Sequence, residues 1–267
     1  MKARFYPAYR FLEGVGDYLF SFFESVFDGV FLVWGTFWSA LFPPYPISLI
    51  IEQFMLLIVK SAPLVFITAL STGAVMALQF GYGMERFGGK LYVPTVVSIS
   101  IVRVLGPVFT CLMLSGRAGA GIAAELGSMA VTQQVDAIRA LGTDPLKKLV
   151  LPRVLVLMIG APLLTLVADV LGITGGMLVS ASGLQISPAL YVQKSYEALR
   201  LSDILVGTGK TVLFGGFIGF MGCFQGLRTR AGTVGIGFST TRSVVLSSIF
   251  IMVGDVFVTK ISWILKW

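Results

Sequence analysis

The chain contains no histidine in its 267 residues. That removes the side chain most used as a general base near neutral pH, the commonest metal ligand, and any serine–histidine pair. Charge is also scarce, at 12% of residues, where a soluble domain carries about 25%. The two cysteines, Cys111 and Cys223, each sit inside an apolar stretch. They read as small packing residues, so neither a disulfide framework nor a thiolate metal site is expected. No carboxylates show metal-ligand spacing, and no cofactor is expected. The segment Gly207-Thr208-Gly209-Lys210-Thr211 ends like a phosphate-binding loop, but Ile204 stands where that loop needs its first glycine. The chain has no visible chemistry for driving a reaction or hydrolysing ATP, so a partner must supply energy for any work it does.

What is present in quantity is apolar. Hydrophobic residues make up 56% and mean hydropathy is +0.89, values of an all-α polytopic membrane protein. The 31 glycines fit, because small residues let membrane helices approach closely. The net charge of +7 comes without a basic run interleaved with aromatics, so no nucleic acid is expected. Five spans are predicted, over about 61–80, 92–114, 154–181, 204–225 and 243–265, each long enough to cross a hydrocarbon core. They form one permease domain over 61–267, preceded by interfacial helices over 1–60. Within the latter, residues 15–42 are rich in aromatics but carry Asp17, Ser21, Glu24 and Asp28 as one polar stripe. A striped helix suits the interface plane, and spanning is the alternative. Pro43-Pro44-Tyr45-Pro46 breaks that helix. No cleavable signal is expected. Arg and Lys concentrate at the N-terminus, between spans two and three, and in the loop holding Arg228, Arg230 and Arg242. These are expected inside and the C-terminus outside. A spanning 15–42 segment would place the basic N-terminus outside, and that conflict favours five spans.

One polar island interrupts the apolar chain, from Ser115 to Arg153. Its middle, Gly127 to Leu141, reads as a short helix with Val131, Val135, Ile138 and Leu141 on one face. Gly142 and then Asp144-Pro145 write its stop. Nothing in the loop can bury that face. The helix either lies on the lipid surface or docks into a groove on a soluble partner. Four charges fall inside spans: Arg103, Asp169, Lys210 and Asp255. Such groups face a bundle interior or a cavity, so they either pair with one another or line a substrate path.

Several separate motifs then agree. Arg103-Val104-Leu105-Gly106-Pro107, Gly116-Arg117-Ala118-Gly119, Ala124-Glu125-Leu126-Gly127-Ser128-Met129, Asp144-Pro145-Leu146 and Pro152-Arg153 resemble the MlaE family of ABC-transporter permeases. So do Ala77-Leu78-Gln79, Ala231-Gly232-Thr233-Val234-Gly235 and Thr240-Thr241-Arg242-Ser243-Val244-Val245. The resemblance runs in consistent order over roughly 47–265. It implies a homodimer of five-span subunits, each with an N-terminal elbow helix, in the bacterial inner membrane. It implies a cytoplasmic ABC ATPase subunit, a periplasmic MCE-domain lipid-binding protein, often a STAS-domain protein, and phospholipid as substrate. The island helix becomes the ATPase-coupling helix, with Glu125, Met129, Val131, Gln134, Val135, Ile138, Arg139 and Leu141 as its residues. The lipid path takes in Met76, Leu78, Phe87, Arg103, Lys210 and Asp255. Two positions depart from the family pattern: Val104, where an acid is common, and Gln133, where Glu is frequent. Two other classes compete. A secondary transporter calls for an internal repeat and broken mid-membrane helices, and an intramembrane lipid enzyme calls for a nucleophile–base pair. Neither feature is found.

Overall fold

The computed structural model describes residues 34–35, 47–230 and 232–265. Apart from 34–35, the expected interfacial segment 15–42 lies outside the described residues. The chain divides into two units, Met1–Tyr45 and Pro46–Trp267. The described residues are helical throughout, with no strand among them. Five runs are long and apolar enough to cross a membrane: Ile47–Glu85, Lys90–Val131, Leu146–Gly183, Leu201–Leu227 and Gly232–Ile264. All five belong to the second unit and are numbered as spans one to five in chain order.

Span one is built from α1 (Ile47–Leu57) and α2 (Ala62–Glu85), joined by a tight turn over Val59–Ser61. Pro63 opens α2, where its missing N–H costs nothing. Span two comprises α3 (Val93–Ser100), α4 (Gly106–Leu114) and α5 (Ala120–Val131). Wide, i→i+5 turns over Ile101–Leu105 and Ser115–Gly119 join these three. The short α6 (Gln134–Ala140) comes next. Span three is a wide turn over Leu146–Val150 running into α7 (Leu151–Gly183). The remaining elements are α8 (Pro188–Ala198), α9 (Leu201–Leu227, span four) and α10 (Gly232–Ile264, span five).

Helix α7 is the centre, packing against α1, α2, α4, α8 and α9, while α9 in turn packs on α4, α5 and α10. Lipid is as apolar as leucine, so helix association here rests on close packing rather than on burial from water. Glycine supplies it. A Cβ on Gly73 of α2 would collide with the Gly172 carbonyl of α7, and one on Gly215 of α9 with the Leu157 carbonyl. Backbones therefore touch along both faces of α7.

The polar island differs from its expected form in two ways. Its first third does not leave the bundle, because α5 continues span two to Val131. Ile122, Ala123, Leu126 and Gly127 are buried on that helix. The island helix is also not continuous from Gly127 to Leu141. It breaks at Thr132-Gln133, where Gln133 takes a left-handed conformation at φ 58°. The Thr132 hydroxyl bonds back to the Ser128 carbonyl at 2.8 Å. Glu125, Met129 and Val131 consequently belong to α5, and only Gln134 to Ala140 form the separate helix. The stop is as expected: Gly142 lies at φ +73°, and Asp144 Oδ1 accepts the Leu146 N–H at 2.9 Å. Between spans three and four, α8 opens at Ser187-Pro188, with the Ser187 hydroxyl accepting the Leu190 N–H.

Candidate functional site

Three of the four in-span charges, Arg103, Lys210 and Asp255, are paired, and one partner is a residue expected in a loop. Asp203 sits at the start of α9, where one carboxyl oxygen accepts the Arg200 N–H at 3.0 Å. Its other oxygen meets Arg103 Nε at 3.1 Å. An acid in the first helical turn complements exposed N–H groups and the helix dipole, so the carboxylate serves two ends at once. Two turns on, Lys210 Nζ reaches Asp255 of α10 at 2.7 Å and the Thr259 hydroxyl at 3.2 Å. Lys210 is only 2% exposed.

The third partner of Lys210 is a backbone atom. Its Nζ donates to the Arg103 carbonyl at 2.6 Å. In an α-helix that carbonyl would accept from the residue four places on, but that residue is Pro107, which has no N–H. Arg103 lies in the wide turn over Ile101–Leu105, so the α-helical N–H is absent at Pro107 and a lysine from another helix donates to the carbonyl. The result is one network across spans two, four and five. It buries Lys210 and Asp255 and leaves the Arg103 side chain 39% exposed.

The ion pairs and hydrogen bonds bring together Arg103, Lys210 and Asp255. The other three expected path residues carry no charge and stand on span one and the turn after it. Met76 packs beside the buried cluster of Ala77, Val93, Val97 and Tyr191. Leu78 faces outward, and Phe87 is 88% exposed. Asp203 was the missed member. Its signal in the sequence was an acid three residues after Arg200 at the opening of an apolar run.

Near the far end of span two, Glu125 pairs with Arg153 at 2.6 Å, joining α5 to the start of α7. Arg153 is buried and also donates to the Leu149 carbonyl. Arg117, in the second wide turn, donates to the Ser61 hydroxyl at 2.8 Å and so ties span two to span one. Beyond these contacts α6 buries none of its residues. Val135 and Ile138 are half-exposed and Leu141 is 83% exposed. Among the described residues Arg139 pairs only with Asp136 of the same helix, at 3.7 Å.

The family model described as Permease MlaE matches residues 50–261. The chain is 39% identical over 249 residues to a probable ABC transporter permease protein of Rickettsia typhi, covering 92% of this chain and 95% of that one. It is 34% identical over 215 residues to a probable ABC transporter permease protein of Synechocystis, covering 80% and 81%. It is 28% identical over 253 residues to the intermembrane phospholipid transport system permease protein MlaE of Haemophilus influenzae, covering 94% and 97%.

Proposed function

The chain is a multi-pass membrane protein of the MlaE family of ABC-transporter permeases, and from that premise we propose that it carries phospholipid between the inner and outer membranes of a bacterium. The observation that carries this reading is the half-exposed Arg103 guanidinium, set in an apolar span and paired at Nε with Asp203, while Lys210, itself paired with Asp255, holds the Arg103 backbone carbonyl. A phosphate diester is an anion that arginine grips with two parallel hydrogen bonds. Arg103 is the headgroup contact, and Lys210 with Asp255 fixes the backbone that presents it. Met76, Leu78 and Phe87 offer apolar surface for acyl chains. The name of the Haemophilus relative, a phospholipid transport permease, supports the substrate class.

In this reading the protein works as a homodimer and hydrolyses no ATP itself. A cytoplasmic ABC ATPase subunit sits on α6, where Val135 and Ile138 are half-exposed and Leu141, just after it, is exposed. A periplasmic MCE-domain protein exchanges the lipid, and a STAS-domain protein accompanies the ATPase. The N-terminus faces the cytoplasm and the C-terminus the periplasm. Cysteines at the exposed positions Arg230 and Tyr196 test that orientation, with both native cysteines removed. Tyr196→Cys should react with an impermeant reagent in cells with a permeable outer membrane, and Arg230→Cys should not. The reverse pattern overturns the topology.

The functional test is Arg103→Ala. The variant should insert and bind the ATPase, lose most of its co-purified phospholipid by mass spectrometry, and fail to support transport. Unchanged lipid content with a lowered thermal midpoint would reduce Arg103 to a structural partner of Asp203.

A further inference from the structure

Three aspartates lie inside the bundle, and only two have cations. Asp203 holds Arg103 and Asp255 holds Lys210. Asp169, in the middle of α7, is 5% exposed. Its Oδ1 is buried with no hydrogen-bond partner, and no ion pair to it exists among the described residues. The site is built around this side chain. Gly106 of α4 stands opposite, and the space its missing side chain leaves is occupied by Asp169 Oδ1. The Ile101 carbonyl borders the same point, 3.1 Å from where a Cβ on Gly106 would lie. One turn along α4, the Thr110 hydroxyl is likewise buried and unpartnered. A groove lined by Thr68, Thr72, Ile101, Gly106, Thr110 and Gly172 runs alongside.

A buried carboxylate without a cation is costly in any apolar setting. The cations on the elements around α7 are taken: Arg103 by Asp203, Lys210 by Asp255, and Arg153 of α7 itself by Glu125. Among the described residues facing the groove, the only polar side chains are the hydroxyls of Thr68 and Thr72 from α2 and of Thr110 from α4. The one ligand that removes the charge and turns an unpartnered acceptor into a donor is a proton. We propose that Asp169 is a proton-binding site inside the bundle, its side chain carried as the neutral carboxylic acid between α4 and α7. The assignment does not depend on what the protein transports.

A hydrophobic carbodiimide tests it in the full-length protein in detergent at neutral pH. The acid's proton moves to a carbodiimide nitrogen, the carboxylate oxygen bonds the central carbon, and an acyl shift to nitrogen leaves a stable adduct carrying the whole mass of the reagent. The peptide holding Asp169 should gain that mass, and those holding Asp203 and Asp255 should not. Infrared difference spectra read the same state without reagent. Wild type minus Asp169→Asn should show one carboxylic-acid carbonyl band, and Asp169→Glu, which keeps the acid, should move that band rather than abolish it. Absence of the band, or equal labelling of all three aspartates, overturns the proposal. A band without adduct upholds it and reports only that the reagent does not reach the groove.

Discussion

Arg103 and Glu125 lie on the same span, 22 residues and therefore about 33 Å apart along the helix, yet their surroundings handle charge differently. Around Arg103, four charged side chains from three spans lock together, and three of them are buried. Around Glu125 there is one ion pair, Glu125–Arg153, whose acid is 44% exposed. Beyond it lies α6, a helix that touches little of its own chain. The first region is held by the protein itself. The second leaves Leu141 exposed and Val135 and Ile138 half-exposed. That difference separates substitutions that damage the fold from those that damage assembly.

The largest expected effect is at the Lys210–Asp255 pair. Asp255→Ala leaves a buried ammonium with only a carbonyl and a hydroxyl, and should cost about 3–5 kcal/mol of stability. The thermal midpoint of the purified protein measures this. The double variant Lys210→Met, Asp255→Leu should recover most of the loss, because well-packed apolar residues replace buried pairs at little cost. If the double variant is as unstable as the single one, the pair is not the source of rigidity and the contrast between the two regions fails.

The same contrast predicts the opposite outcome on α6. Val135→Glu or Ile138→Glu places a charge on a half-exposed face and should change the permease's own stability by about 1 kcal/mol or less, well below the Asp255→Ala loss. It should nevertheless release the ATPase subunit on co-purification. Undiminished co-purification from both variants breaks the comparison at its second half.

The smallest effect concerns Tyr191 on α8, between spans three and four. Its phenol is buried without a partner, and burial pushes its pKa up to about 12 from 10.0. The folded protein keeps this proton where the unfolded chain has lost it. The corresponding stability is therefore present below pH 10 and lost as pH rises through about 12. Tyrosinate absorbance, compared between wild type and Tyr191→Phe, should show Tyr191 ionising late. At neutral pH the variant should be unchanged or about 0.5 kcal/mol more stable, since it removes an unpaired hydroxyl and keeps the ring.

The five spans were legible because apolar runs of that length have one common explanation. The role of the glycines was legible too: Gly172 and Gly176, Gly215 and Gly219, and Gly222 and Gly226 are all buried, as close helix approach requires. The extent of span two was not. From Gly116 to Val131 the chain has only two charged residues among small ones, and small residues look polar to a hydropathy scale while packing well in a bundle. The break at Gln133 had no signal, since a left-handed glutamine is uncommon and neither proline nor glycine marks it. The choice of partners was also hidden. Arg103 faced three aspartates in the sequence, and which one it meets depends on how far α9 slides along span two. No local pattern records that register.

Pro107 has a consequence that reaches beyond its own helix. A ladder carbonyl normally belongs to its own strand of sequence, and the neighbouring amide claims it before any side chain can compete. At Arg103 the amide four places on is missing, and the carbonyl accepts from a distant donor. Replacing Pro107 with alanine would restore a rival amide one turn away, adjacent by covalent geometry. The ammonium of Lys210 would then lose one of its three oxygens, and Asp255 on span five would feel a change made on span two. The reach of the charged network is set by a residue that carries neither charge nor hydrogen-bonding side chain.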